Sequence, residues 1–172
     1  FIESNYVGMH NGINLYQDQN LGEVEIRGVE ATGQFYLTDQ WQLRSSLAYS
    51  RGDNEVDGTP LDSIDPLTAV FGLSYDDSAG KWGGELLLTA VEEKDRVSSA
   101  TVVTADSYTV TDAVGYYRFS EQATLRLGVF NLFDETYARW ANIQGVSATS
   151  LDTIANAMQP GTNFRLGFNL KF

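Results

Sequence analysis

The stretch Phe164-Arg165-Leu166-Gly167-Phe168-Asn169-Leu170-Lys171-Phe172 carries an apolar residue at every second position. A strand sends successive side chains to opposite faces. Phe164, Leu166, Phe168, Leu170 and Phe172 therefore share one face, and Arg165, Gly167, Asn169 and Lys171 share the other. A strand of about ten such residues extends roughly 35 Å, longer than the usual strand of a soluble sheet. When tilted it is long enough to cross a bilayer.

The same period of two recurs upstream. Leu67, Ala69, Phe71, Leu73 and Tyr75 oppose Thr68, Gly72, Ser74 and Asp76, and Trp41, Leu43, Leu47 and Tyr49 oppose Gln42, Arg44, Ser46 and Ser50. Further copies place Trp82, Leu86, Leu88 and Ala90 opposite Glu85 and Thr89, and Leu125, Leu127 and Val129 opposite Thr124, Arg126 and Gly128. Weaker ones run over 22–37, with Val29, Ala31, Phe35 and Leu37 on one face, and over 107–119, with Ala113, Gly115, Tyr117 and Phe119. No segment sustains a 3.6-residue period beyond two turns, so the chain is read as all-β. Seven strands are expected, over about 22–37, 41–51, 67–76, 81–92, 107–119, 122–132 and 162–172.

Composition alone points elsewhere. The 172 residues are 42% hydrophobic, with no Cys and 3 Pro, which excludes a disordered chain and a disulfide scaffold. The net charge of −12 leaves no basic face for nucleic acid. A mean hydropathy of −0.23, without any run of 18 apolar residues, suggests a soluble acidic domain. The alternation overturns that reading, because one apolar face and one polar face average to a modest hydropathy.

The connections sort by length. Short turns are expected near Thr38–Gln40, Asp77–Gly80 and Ser120–Gln122, and long loops over roughly 3–21, 51–66, 92–106 and 132–161. Short turns at one end and long loops at the other are the pattern of outer-membrane barrels, with tight periplasmic turns and long extracellular loops. Aromatic residues near the strand ends, including Trp41, Tyr75, Trp82 and Tyr137, fit two interfacial girdles. The fold expected is an antiparallel transmembrane β-barrel sector of about seven or eight strands. A soluble β-sandwich also alternates faces, but with shorter strands and unsorted loops.

Two further segments carry a family resemblance. Asn131-Leu132-Phe133-Asp134-Glu135-Thr136-Tyr137, followed by Trp140, is similar to the penultimate-strand signature of TonB-dependent outer-membrane receptors. Pro160-Gly161-Thr162-Asn163-Phe164-Arg165, running to Phe172, resembles their final strand. Gly28-Val29-Glu30 and Pro60-Leu61-Asp62-Ser63-Ile64-Asp65-Pro66 match as well, and the Tyr137-to-Trp140 spacing most resembles the haem and haemoglobin receptor branch. The resemblance implies that residues 1–172 form the C-terminal part of a plugged barrel of about 22 strands. It also implies that the N-terminal plug and earlier strands lie upstream of Phe1, which opens the chain without a Met or a signal peptide.

The function so implied is binding of haem or a haem protein at the surface of a Gram-negative bacterium. Import would draw on TonB-derived energy, and the TonB complex would be met through the absent N-terminal region. The other expected partners are outer-membrane lipids and the barrel assembly machinery, which would read the terminal Phe172. Haem or a ferric chelate would be the transported ligand, not a covalently bound cofactor. A ferric-siderophore receptor is the first alternative, and a small self-contained structural barrel the second.

Several residues are candidate contacts. His10 lies in the expected outer loop 3–21, where an imidazole would be able to meet haem iron, although a lone His among Asn11, Gly12 and Asn14 is more often solvated. Asp53-Asn54-Glu55-Val56-Asp57-Gly58 opens like a calcium loop but has Ile64 where a bidentate Glu is required. Arg27, Arg44, Arg118, Arg126 and Arg165 are assigned to lumen-facing positions, because a charge on the lipid face near midplane costs about 2–4 kcal/mol. Trp140 and Ile143, beside the long last loop, are candidates for a ligand-facing surface. Catalysis is not expected: His10 is the sole His, and no G-x-S-x-G turn raises a serine.

Overall fold

The computed structural model describes the backbone of residues 2–10 and 13–20, and residues 22–171 in full. Phe172 lies outside the described residues. Seven long strands form one antiparallel meander: β3 (Val24–Tyr36), β4 (Trp41–Asn54), β6 (Thr68–Asp76), β7 (Trp82–Val91), β8 (Tyr108–Arg118), β9 (Ala123–Phe130) and β10 (Asn163–Leu170). A two-residue β5 (Thr59–Pro60) pairs with the outer end of β4. The sheet is open, with β3 and β10 as its edges. Each of the seven strands expected from the alternation is present, within three residues of its expected ends.

The register explains the alternation. One row of directly paired residues crosses all seven strands as Phe164, Val129, Ala113, Leu86, Leu73, Leu43 and Phe35. The row one residue along reads Arg165, Gly128, Val114, Glu85, Ser74, Gln42 and Tyr36. One face is thus continuous hydrocarbon and the other mostly polar or small. Phe164 and Leu166 are 76% and 73% exposed. Left in water, each side chain would forgo about 1.5–3 kcal/mol of burial free energy. A surface of that size and continuity calls for an apolar surrounding.

At the short-turn end the aromatics meet in tilted and T-shaped pairs. Trp41 and Tyr75, and Tyr75 and Trp82, have ring centroids 4.9 Å apart, and Tyr117 and Phe119 pack at the same spacing. This is one interfacial girdle. Each tight turn is closed by a side-chain oxygen that accepts from the backbone. Thr38 Oγ1 takes the Gln40 and Trp41 amides, Asp77 Oδ2 takes that of Ala79, and Ser120 Oγ takes those of Gln122 and Ala123.

Three expectations change. Within the expected loop 3–21, the described residues are strands: β1 (Ile2–His10) and β2 (Ile13–Asn20) pair antiparallel with a bulge between Tyr6 and Gly8, separate from the large sheet. Each strand satisfies the other's backbone, which a polar segment can do without an alternating pattern. Arg27 is not on the lumen-facing side. It shares strand parity with Val29, Ala31 and Phe35, and it stands beyond them at the loop end of β3. Finally, the last long connection carries two short helices, α1 (Trp140–Ile143) and α2 (Leu151–Asn156).

Candidate functional site

The loop end of the sheet is built by long-range contacts among three connections. Trp140 and Ile143 are each 3% exposed and anchor the assembly. Trp140 Nε1 donates to the Asp62 carbonyl at 2.7 Å. Lys94, 7% exposed, donates from Nζ to the Ile64 carbonyl at 2.8 Å and stands 5.4 Å from the Trp140 ring centroid. The Asp62 carboxylate in turn accepts from the Ser98 amide and hydroxyl, at 2.7 and 2.6 Å. Backbone bonds from Val103 to the Val146 carbonyl and from Ala148 to the Thr101 carbonyl tie the middle connection to the last.

Burial holds the Lys94 ammonium below the usual lysine range, with the Asp62 and Asp65 carboxylates opposing that shift. The assembly tolerates the charge because it is neutralised in part by those acids and by the aromatic face. Trp140 and Ile143 therefore sit inside the loop core. The surface beside the last loop is formed by residues around them.

Below this cap, on the polar face, lies a recess of about 530 Å³. Glu30, Ser50, Thr68 and Tyr108 reach it from β3, β4, β6 and β8, and Asp65, Arg139 and Trp140 close it from the loops. Tyr108 is fixed by packing against Tyr137, with centroids 4.3 Å apart. Two carboxylates, one guanidinium, a phenol and hydroxyls in one concave site suit recognition of a polar ligand. Further down, Arg44, Arg126 and Arg165 line the lumen wall with Asp76, Glu85 and Tyr116. Arg44 is ion-paired to Glu85, Tyr116 donates to Asp76 at 2.5 Å, and Arg165 lies 4.8 Å from the Phe130 centroid. Arg118, also on the inner parity, covers the Tyr116 ring. Four of the five arginines assigned to the lumen are thus on the inner face.

The acidic stretch at 53–58 forms a hairpin tip. Asp53 is held by Arg51 at 3.1 Å and Arg96 at 2.5 Å, Asp57 accepts from Asn54, and Gly58 takes a positive φ of 67°. Its oxygens serve the turn. Among the described residues no group of three or more His, Asp or Glu is placed to hold a metal ion. His10 falls at the tip-side end of β1, paired in register with Ile13.

The two segments that carried the family resemblance turn out to be one latch. Asn131 and Asp134 adopt left-handed backbone, at φ 53° and 57°. The buried Asn131 side chain donates to the Glu135 and Pro160 carbonyls and accepts the Glu135 amide, at 2.8, 3.2 and 2.8 Å. Thr162 closes the latch from the final strand, through Oγ1 to the Asn131 carbonyl at 2.7 Å and its amide to Asp134 at 2.9 Å. A Cβ at Gly161 would collide with the Asp134 carboxylate. These residues build the joint between β9 and β10.

An antiparallel sheet with one lipid-facing side, a girdle of aromatics, tight turns at one end and a stitched loop cap over a polar recess defines a sector of an outer-membrane receptor barrel. The chain matches the family model "TonB dependent receptor-like, beta-barrel" over residues 1–132, and it belongs to that family. It is 26% identical over 213 aligned residues to a probable hemoglobin and hemoglobin-haptoglobin-binding protein of Haemophilus influenzae, covering 100% of this chain and 21% of that protein. It is 27% identical to transferrin-binding protein A of Neisseria meningitidis serogroup B, over 94% of this chain and 20% of the relative. Among solved structures, the copper transporter OprC superposes with a TM-score of 0.82 at 28% identity, over 100% of this chain and 27% of that chain. The chain spans about a fifth of the length of the curated relatives it matches. Its place is the outer membrane of Gram-negative bacteria, and its relatives are receptors and transporters, not enzymes.

Proposed function

We propose that this chain is part of a receptor that binds haem or a haem protein at the cell surface and imports haem or its iron with energy from the TonB complex. The observation that carries the reading is the polar recess on the inner face beneath a cap of three interlocked connections. Such a cap offers a broad outer surface to a protein, and the recess below offers carboxylate, guanidinium and phenol groups to what that protein releases. Likeness to hemoglobin-binding proteins along the whole chain supports the same ligand class.

In the proposal, residues 1–172 are the C-terminal barrel portion of the receptor. The plug and the TonB contact belong to other parts of it, and Phe172 is read by the assembly machinery. A receptor for a small metal chelate is the second reading, favoured by the size of the recess and by likeness to a copper transporter over the whole chain. Titration of the full receptor with haemoglobin, haem and ferric siderophores separates the two. Haemoglobin binding weakened by Arg139→Ala or Glu30→Gln supports the first, and binding of a chelate alone refutes it.

A further inference from the structure

The outward face of β3 and β4 changes character in three steps toward the loops. Val29 stands opposite Tyr49, Arg27 opposite Arg51, and Glu25 opposite Asp53. All six positions share the parity of the lipid-facing residues. From Trp41 in the turn-side girdle, the ten-residue step to Arg51 spans about 34 Å along the strand. At the usual barrel tilt this is about 26 Å of height, close to an apolar band about 25 Å tall. The arginine row therefore lies where hydrocarbon gives way to headgroups, and the acid row lies one step further out.

Two arginines directly opposite one another repel unless an anion lies between or beside them. Their partners within the chain are incomplete. Arg27 engages Glu25 through Nε and one Nη, and Arg51 engages Asp53 through Nε alone, so each guanidinium keeps further donors. Their side chains are 78% and 56% exposed. Asp53 is shared with Arg96, and Glu55 lies close enough to act on Arg27, so three arginines stand among three acids.

We propose that Arg27 and Arg51 form an outward-facing clamp for the phosphate of an outer-leaflet lipid headgroup. A guanidinium fork matches phosphate oxygens, and the pair stands at the height where those oxygens lie. The acid row above it bounds the clamp on the aqueous side.

The test uses the full receptor, purified in detergent and titrated with phosphorylated lipid A and with dephosphorylated lipid A, with bound lipid counted by native mass spectrometry. Wild-type receptor retains the phosphorylated form preferentially. The double variant Arg27→Gln/Arg51→Gln binds it about twenty-five-fold more weakly, from about fivefold per arginine beside an anionic surface. Arg27→Lys/Arg51→Lys retains most of the charge and part of the preference. Glu25→Gln/Asp53→Asn, which frees the arginines, binds more tightly. Equal retention of the two lipids, unchanged binding in the Gln variant, or weaker binding when the acids are neutralised overturns the proposal. The heat-dependent gel shift of the folded barrel checks that each of the three variants is intact.

Discussion

Trp140 is the residue on which the cap is most sharply testable, because a single atom of it reaches a connection 78 residues away. Trp140→Phe keeps an aromatic ring in the core but removes the Nε1–H donor, leaving the Asp62 carbonyl without that partner. An orphaned buried acceptor costs about 1–3 kcal/mol. Taking about 2 kcal/mol, the opening equilibrium of the cap rises close to thirtyfold. Trp140→Ala also leaves a cavity, at about 3–5 kcal/mol, and opens it by about 150-fold to several thousandfold. Hydrogen exchange on the full receptor in detergent reads these numbers directly, since exchange of protected amides follows the local opening equilibrium. The reporters are remote from the substitution: the Ser98 amide bonded to Asp62, the Lys94 amide bonded to Ala105, and the Val103 amide bonded to Val146. They should accelerate together, while the β6 and β7 amides hold their protection. Acceleration confined to residues near 140, with Ser98 and Val103 unchanged, would refute the claim that one core unites the three connections.

The latch between β9 and β10 separates two costs. Asn131→Gly loses the three side-chain hydrogen bonds, and Asn131→Ala loses them and adds the left-handed backbone penalty, so Ala should be the less stable by about 1–2 kcal/mol in thermal unfolding of the folded barrel. Lys94 gives the cap a pH dependence. Its lowered pKa means that the open cap binds more protons than the closed one, so protection of the Ser98 amide should increase as pH rises from the lowered value toward the ordinary 10.5. That slope should vanish in Lys94→Met. Phe172→Asp should reduce outer-membrane insertion, measured by surface protease accessibility in cells, and normal insertion refutes a role for the terminal aromatic.

Strand positions were legible because a barrel wall has two solvents. Every second residue on 164–170, 67–76 and 41–50 answers to lipid, so the period of two survives along the whole wall, and the register confirms it in a row of seven apolar residues. The paired strands at 2–10 and 13–20 were not legible, because no sustained alternation marks them. Arg27 was misassigned for a related reason. The rule that outward charges are costly holds only within the hydrocarbon, and Arg27 stands past its edge, where parity rather than residue type decides the face.

The site was least legible. Its recess takes Glu30, Tyr108 and Arg139 from three separate parts of the chain, and nothing near any one of them in sequence marks the others. Trp140 stood out as an aromatic in a polar loop, but exposure and burial leave the same trace in sequence. Only the carbonyl of Asp62 and the ammonium of Lys94, brought to its two sides, decide that it is core. The resemblance motifs carry a similar lesson. Asn131, Asp134, Gly161 and Thr162 are recognisable because they build the joint between β9 and β10, with two residues in left-handed backbone. A role of that kind comes from barrel construction and is indifferent to cargo. Residues that identify the family are therefore poor witnesses to the ligand, and discrimination between haem proteins and small chelates must be sought in the recess and on the outer surface of the cap.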